Sequence, residues 1–269
     1  QAAYEKPDLA RLHHKTYRPA DVGNEAQVKE AVKLIAGAKR PVFYTGGGLI
    51  NSGPEACNRL RELVKMTGYP ITNTLMGLGA YPASDDQFIG MLGMHGTYEA
   101  NHAMHDCDVM ICLGARFDDR ITGRLDAFSP DSKKIHVDVD RSSINKNIHV
   151  DIGIVGDVGQ VLGQMLECWK VKNYSPNHEA LSEWWTVIQR WRSRDCLSYN
   201  QSTEVILPQH AVKRLYELTK DRDTYITTEV GQHQMWAAQY YKFEETEPLD
   251  DLWRSGHHGL WPAGGGGRA

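Results

Sequence analysis

From residue 24 onward, apolar positions alternate between short continuous runs and stripes with helical spacing. Asn24 with Gln27 three residues on resembles a capping box, and Val28, Ala31, Val32 and Ile35 form one apolar face, which predicts a helix from about residue 25 to 37. "PVFYT" then reads as a short buried strand, and Pro54 followed by Cys57, Leu60, Leu63 and Val64 reads as a helix that Gly68 can stop. The strand "PITNTL" follows. A helical stretch around Tyr98 to Met104 precedes the strands "DVMICLGA", "KIHVDVD" and "IGIVGDV", the last leading into the helix "GQVLGQMLECW". Strands with continuous apolar runs that alternate with helices indicate a parallel sheet covered on both faces, so residues 20–170 are expected to form an α/β domain.

The pattern weakens on either side of this domain. The opening "QAAYEKPDLARLHHKTYRP" reads as a linker over 1–19, and "KVKNYSPNHE" begins a second linker over 171–204 that includes a Trp-rich helix, "EALSEWWTVIQRWRSRD". Helix "PQHAVKRLYELT", strand "TYITTEV" and helix "HQMWAAQYY" start a second α/β unit over 205–248 that does not finish. The last stretch, "PLDDLWRSGHHGLWPAGGGGRA", has no periodicity.

Thirty basic and thirty-four acidic residues give a formal charge of −4 over 269 residues, which argues against a nucleic-acid or membrane surface and for a small-molecule or protein partner. Cys57, Cys107, Cys112, Cys168 and Cys196 are scattered and odd in number, so reduced thiols in a cytosol-like, cytoplasmic compartment are expected rather than a disulfide framework. Neither a run of eighteen apolar residues nor a signal-peptide pattern occurs.

The candidate chemistry lies where strands turn into helices, since ligands of parallel sheets sit beyond the carboxyl ends of the strands. Gly46, Gly47 and Gly48 either form a tight turn or let a ligand approach the main chain; G-x-G-x-x-G spacing is absent. Polar or Gly-rich endings also occur at Thr74 to Gly79, Met91 to Gly96, Gly114 to Arg120 and His136 to Asp140. Asp138 or Asp140 suits a ribose diol or a turn cap, "RFDDR" a polar ligand edge or an ion-pair knot, and His95 a ligand contact or a core position. Five such endings on one sheet suggest an extended dinucleotide. Gly231, Gln232 and His233 at a helix start suit a diphosphate, or an ordinary polar cap.

At "PVFYTGGGLINS", "NTLMGLGAYP", "MLGMHGTYEANHAM", "GARFDDRITGRLDAFSP", "KIHVDVDRSSINKN", "VGDV" and "VGQHQMWAAQ" the chain resembles the acetohydroxyacid (acetolactate) synthase family, in family order from about Arg40 to Tyr241. The resemblance implies a Rossmann-like central domain holding flavin adenine dinucleotide (FAD), and the start of a domain for thiamine diphosphate and Mg2+. The implied reaction decarboxylates pyruvate and joins the product to a second 2-oxo acid, in valine, leucine and isoleucine synthesis, with the thiazolium as electron sink. The flavin would be mainly structural, and the parent a homodimer or tetramer, with or without a regulatory subunit.

Carried over by position, Gly46, Gly47, Gly48, Thr74, Leu75, Leu92, Gly93, Met94, His95, Gly114, Ala115, Arg116, Phe117, Asp118, Asp119, Arg120, Asp138, Val139, Asp157 and Val158 would contact FAD. Met94, His95 and Asp118 would also border the substrate channel, and Val230, Gly231, Gln232 and His233 would hold thiamine diphosphate. The domain carrying the family's activating glutamate and the family's "GDG" magnesium motif have no counterpart in this sequence, so this chain alone is expected to be inactive, with no metal ligand of its own. Codons for "LDDLWRSGHHGLWPAGGG", read one base later, can encode "WMTSGGLGTMGYGLPAA", similar to the family's continuation; residues 249–269 are therefore expected to be an out-of-frame tail without stable structure. The alternatives are another FAD-containing thiamine enzyme, of the glyoxylate carboligase or pyruvate oxidase type, and a non-catalytic nucleotide-binding module.

Overall fold

The computed structural model describes residues 20–222, 224–244 and 260–263, the last four by backbone alone. The expected linker over 1–19 lies outside the described residues.

Helix α1 (Glu25–Ala36) starts where the Asn24 side chain accepts the Ala26 and Gln27 amides at 3.0 and 3.2 Å, and it buries Val28, Ala31, Val32 and Ile35. Strand β1 (Pro41–Thr45) is buried throughout, as its unbroken apolar run requires. The short helix α2 (Gly47–Asn51) follows, then α3 (Pro54–Thr67), which opens on proline and closes on Gly68 in the left-handed region at φ 71°. The domain continues through β2 (Ile71–Asn73), β3 (Phe88–Met91), α4 (Tyr98–Asp106), β4 (Val109–Leu113), α5 (Asp119–Thr122), β5 (Lys133–Asp138), β6 (Ile152–Val155) and α6 (Val158–Val171).

The six strands form a wholly parallel sheet in the order β3-β2-β1-β4-β5-β6. The chain thus builds outward from β1 in one direction, returns, and builds from β4 in the other. The crevice where this order reverses lies between the carboxyl ends of β1 and β4, the position at which open α/β sheets bind ligands.

The Trp-rich helix α7 (His178–Arg192) departs from the expected linker over 171–204. Leu181, Trp184 and Ile188 are buried in the same core as the sheet. The indole of Trp184 donates to the Pro41 carbonyl at 3.0 Å, and that of Trp185 to the Gly68 carbonyl at 2.9 Å. A stack of Trp184, Trp191, His102 and Tyr98, with the Arg194 guanidinium 4.3 Å above the Tyr98 ring, fastens α7 to α4. The physical reason is that tryptophans at helical spacing cover a wide apolar face while their N–H groups find main-chain acceptors at the sheet's rim.

Beyond α7 lie α8 (Pro208–Thr219), β7 (Thr224–Thr227) and α9 (Gln232–Tyr240). Helix α8 buries no residue and leaves Leu215 and Leu218 exposed. The unit rests instead on a small cluster in which Tyr241 and Phe243 pack with Leu78 and Met91 of the central domain. Strand β8 (Leu260–Ala263) pairs antiparallel with β7, so four residues of the tail expected to lack structure are a strand; the rest of that tail lies outside the described residues. An edge strand offers unpaired N–H and C=O groups that almost any extended segment can satisfy, whatever its side chains.

Candidate functional site

The β1 and β4 tips are joined main chain to main chain. Gly46 N donates to Leu113 O at 3.1 Å and Gly48 N to Gly114 O at 2.9 Å. A Cβ on Gly46 would lie 2.4 Å from the Gly114 oxygen, one on Gly48 2.7 Å from the Gly114 Cα, and Gly114 itself has φ +59°. For these positions the missing side chain is replaced by protein backbone, so the reading that gave all three glycines to a ligand's approach changes. Gly47 alone is open on that side, with Met76 Cβ at 3.2 Å as its nearest neighbour.

The other expected positions gather along the same carboxyl edge, because every strand of the sheet runs the same way. After β2, Thr74 N donates to Thr45 O at 2.8 Å, Leu75 is half-buried, and the Asn73 amide nitrogen and Thr74 hydroxyl are buried without a partner. After β3, Leu92 is buried, and Gly93 at φ +96° exchanges hydrogen bonds with the Asn101 side chain at 2.8 and 3.0 Å. Met94 is 64% exposed while its amide donates to Arg120 O at 3.0 Å, tying the β3 and β4 loops together. His95 is exposed, which removes the alternative of a core histidine.

In the loop after β4, Ala115 and Phe117 are buried, so only their backbone can meet a ligand. Arg116 pairs with Asp118 at 3.0 Å and Arg120 approaches Asp119 at 4.0 Å, both with well-exposed side chains. The acid and base pairs of the expected ion-pair knot are thus present, but exposed pairs of this kind contribute little to stability. At β5, Asp138 accepts the Asp140 amide at 2.8 Å and keeps its other oxygen 3.8 Å from His136 Nε2, next to the half-exposed Val139.

Two of the acids cap local structure. Asp140 accepts the Ser142 amide and hydroxyl, each at 2.8 Å, and the Ser142 hydroxyl holds its carboxyl below the usual range. Asp157 caps α6 through the Gln160 amide at 3.0 Å and accepts from Ser52 Oγ at 2.6 Å; Val158 beside it is buried. An open cleft of about 1250 Å³ begins at Val139, Asp140 and Arg141 and is bounded across by Val22 and Asn24.

Four side chains support the β4 loop: Tyr44, Cys112, His136 and Asn147 each place a donor on a carbonyl of residues 115–117, a role that sequence reasoning gave to none of them, although His136 opens one of the strand endings it marked. Burial pushes the Tyr44 hydroxyl and the Cys112 thiol well above their ordinary values and holds His136 below its own.

Val230, Gly231, Gln232 and His233 are exposed at the start of α9, with no side chain capping the helix and Val230 85% exposed. Helix α9 touches the β3 loop where Gln239 Nε2 donates to the His95 carbonyl at 2.8 Å. Among the described residues, no group of three or more His, Cys, Asp or Glu side chains could hold a metal ion, and no helix is long and apolar enough to cross a membrane.

Residues 28–165 match the family model described as thiamine pyrophosphate enzyme, central domain. The chain is 45% identical over 232 residues to the acetolactate synthase isozyme 3 large subunit of Escherichia coli, a match covering 86% of this chain and 40% of that protein. It is 42% identical over 242 residues to the acetolactate synthase large subunit of Haemophilus influenzae, covering 90% and 41%, and 42% identical over 236 residues to the acetolactate synthase of Mycobacterium bovis, covering 87% and 38%. The chain thus spans about two fifths of the length of these relatives. Through a match that takes in every strand of the six-stranded sheet, the chain belongs to the thiamine pyrophosphate enzyme family, whose central domain it carries.

Proposed function

We propose that the chain is the central part of an acetolactate synthase large subunit, with FAD lying along the carboxyl edge of the six-stranded sheet and the diphosphate of thiamine diphosphate at the start of α9. The identity of 45% with the Escherichia coli large subunit, over nearly the whole described length, carries this reading. The edge suits the flavin. Gly47 has no Cβ to close the slot, Met76 stands 48% exposed beside it, and Met94 and Val139, 64% and 50% exposed, lie further along the same carboxyl edge after β3 and β5. Asp138 keeps one carboxylate oxygen available to a ribose diol.

Thiamine diphosphate supplies the electron sink for decarboxylation of pyruvate and for carbon–carbon bond formation with a second 2-oxo acid. The residues of this chain orient and shield. The uncapped first turn of α9 presents N–H groups and a positive dipole end to a diphosphate, and Gln232 and His233 flank it. The contact of α9 with the loop that carries Met94 and His95 supports a role for these two residues at the border between the two cofactor positions. Magnesium is assigned to no described residue. Catalysis is assigned to the whole synthase, in an assembly with further copies and a small subunit, and not to these 269 residues alone.

Titration of the chain with FAD, followed by quenching of flavin fluorescence, tests the proposal. Saturable quenching is expected, weakened at least tenfold by Val139→Asp, whose exposed position leaves folding intact. Absence of saturation in the folded chain would remove the flavin reading.

A further inference from the structure

Three consecutive carbonyls of the loop after β4 are each drawn toward a side-chain donor from a different part of the chain. His136 Nε2 lies 2.9 Å from Ala115 O, the Tyr44 hydroxyl donates to Arg116 O at 2.9 Å, and Asn147 Nδ2 donates to Phe117 O at 2.7 Å. Cys112 Sγ adds a second, weaker donor to Ala115 O at 3.1 Å. In a trans peptide the N–H points opposite to the C=O, so fixing these carbonyls turns the amides of Arg116, Phe117 and Asp118 away from the donors. Among the described residues those amides meet no acceptor.

The His136 member of this set is unusual. A carbonyl oxygen only accepts, so the imidazole must carry its proton on Nε2 and leave Nδ1 bare. Nδ1 is buried without a partner, on a side chain that is fully buried and packed edge-on against Phe117 at 5.2 Å. An apolar residue would fill that space without an unsatisfied nitrogen, so packing alone does not account for an imidazole at this position.

We propose that His136 is a positioning residue for the nucleotide site: its bond to the Ala115 carbonyl sets the Arg116 amide, the first of the three amides of residues 116–118 that serve as donors to the oxygen-rich edge of the ligand. The role rests on the flavin reading above. Tyr44 and Asn147 hold the two peptides that follow, and His136 fixes the first.

The test compares His136→Leu, which fills the volume without a donor, with His136→Gln, whose amide nitrogen reaches the place of Nε2. FAD affinity is measured by fluorescence quenching and local opening by amide hydrogen exchange in the absence of ligand. His136→Leu is expected to weaken FAD binding about tenfold and His136→Gln by less than about threefold. In the leucine variant the Gly48 and Gly114 amides, which anchor the loop's root, should exchange faster while Ile111 in the centre of β4 keeps its rate. A residue that merely filled space would move all three rates together or none. Equal behaviour of the two variants in affinity and exchange would overturn the proposal. Failure of the parent chain to bind FAD would overturn the flavin reading, and the exchange comparison would then decide on the clamp by itself.

Discussion

The amide of Gly48 donates to the carbonyl of Gly114 at 2.9 Å, so the tips of β1 and β4 close on each other at the point where the strand order reverses. A side chain at Gly46 would meet the Gly114 oxygen at 2.4 Å and the Ala115 Cα at 2.6 Å, both backbone atoms of the neighbouring loop. Gly46→Ala is therefore expected to destabilise the fold by about 2 kcal/mol or more, because two strand tips must separate. Gly47→Ala, whose Cβ would meet Met76 Cβ at 3.2 Å and the Met76 oxygen at an ordinary 3.5 Å, should change stability by less than about 1 kcal/mol. Urea denaturation of the two variants separates these outcomes, and equal losses would contradict the assignment of the first glycine to backbone packing.

Helix α7 should behave as core. Trp184 is 2% exposed and bonded to Pro41 O, so Trp184→Ala should cost about 3–5 kcal/mol. Trp184→Phe keeps most of the apolar contact but leaves the carbonyl without its donor, and about 1–3 kcal/mol is expected. A thermal midpoint unchanged in the alanine variant would show that α7 is a separable linker after all.

The buried imidazole of His136 gives a pH dependence whose sign follows from linkage. Burial lowers its folded value, with Asp138 and the bond to Ala115 opposing. Between that value and the unfolded value of about 6.5 the unfolded chain binds more protons, so stability rises with pH. The contribution is fully present above about pH 6.5, falls as the pH drops through this window, and levels off below the folded value. In His136→Gln this component of the slope should vanish, as denaturation midpoints measured between pH 5 and 8 would reveal.

Thiol reactivity should follow burial. Cys196 is exposed and Cys168 half-buried, whereas Cys57, Cys107 and Cys112 are buried, with burial pushing the Cys107 thiol up to about 12. Pulsed alkylation of the native chain, read by peptide mass spectrometry, should label Cys196 first and the three buried thiols only after unfolding. Early labelling of Cys112 would show that the β4 loop opens readily.

Much of the scaffold could be read from the chain because local and global preferences coincide there. β1 and α8 begin and end where "PVFYT" and "PQHAVKRLYELT" place them, and the Asn24 cap and Gly68 stop act as their residue types suggest. β3 shows in the sequence only by its ending: Phe88–Met91 is short and contains Gly90 at φ +91°, beside an irregular register between Ile71 and Asn73. The site divides the same way. Strand ends drew attention to the carboxyl edge, but the separate tasks of Gly46 and Gly47 depend on Gly114, more than sixty residues away. The donors from Tyr44, His136 and Asn147 converge only once the sheet is assembled, and no spacing rule brings them together.

The bond from Gln239 to the His95 carbonyl is one of a set that joins the second unit to the central domain, beside Ala83 N to Phe243 O at 3.0 Å and Ser84 Oγ to Glu244 Oε2 at 2.6 Å. Because Met94, the residue before His95, is tied to Arg120, a displacement of α9 pulls on the β3 loop and through it on the loop after β4. Swinging α9 aside would also lay bare Leu78 and Met91, now covered by Tyr241 and Phe243. The two proposed cofactor seats therefore meet at one loop, the turn after β3 that α9 and the loop after β4 both hold.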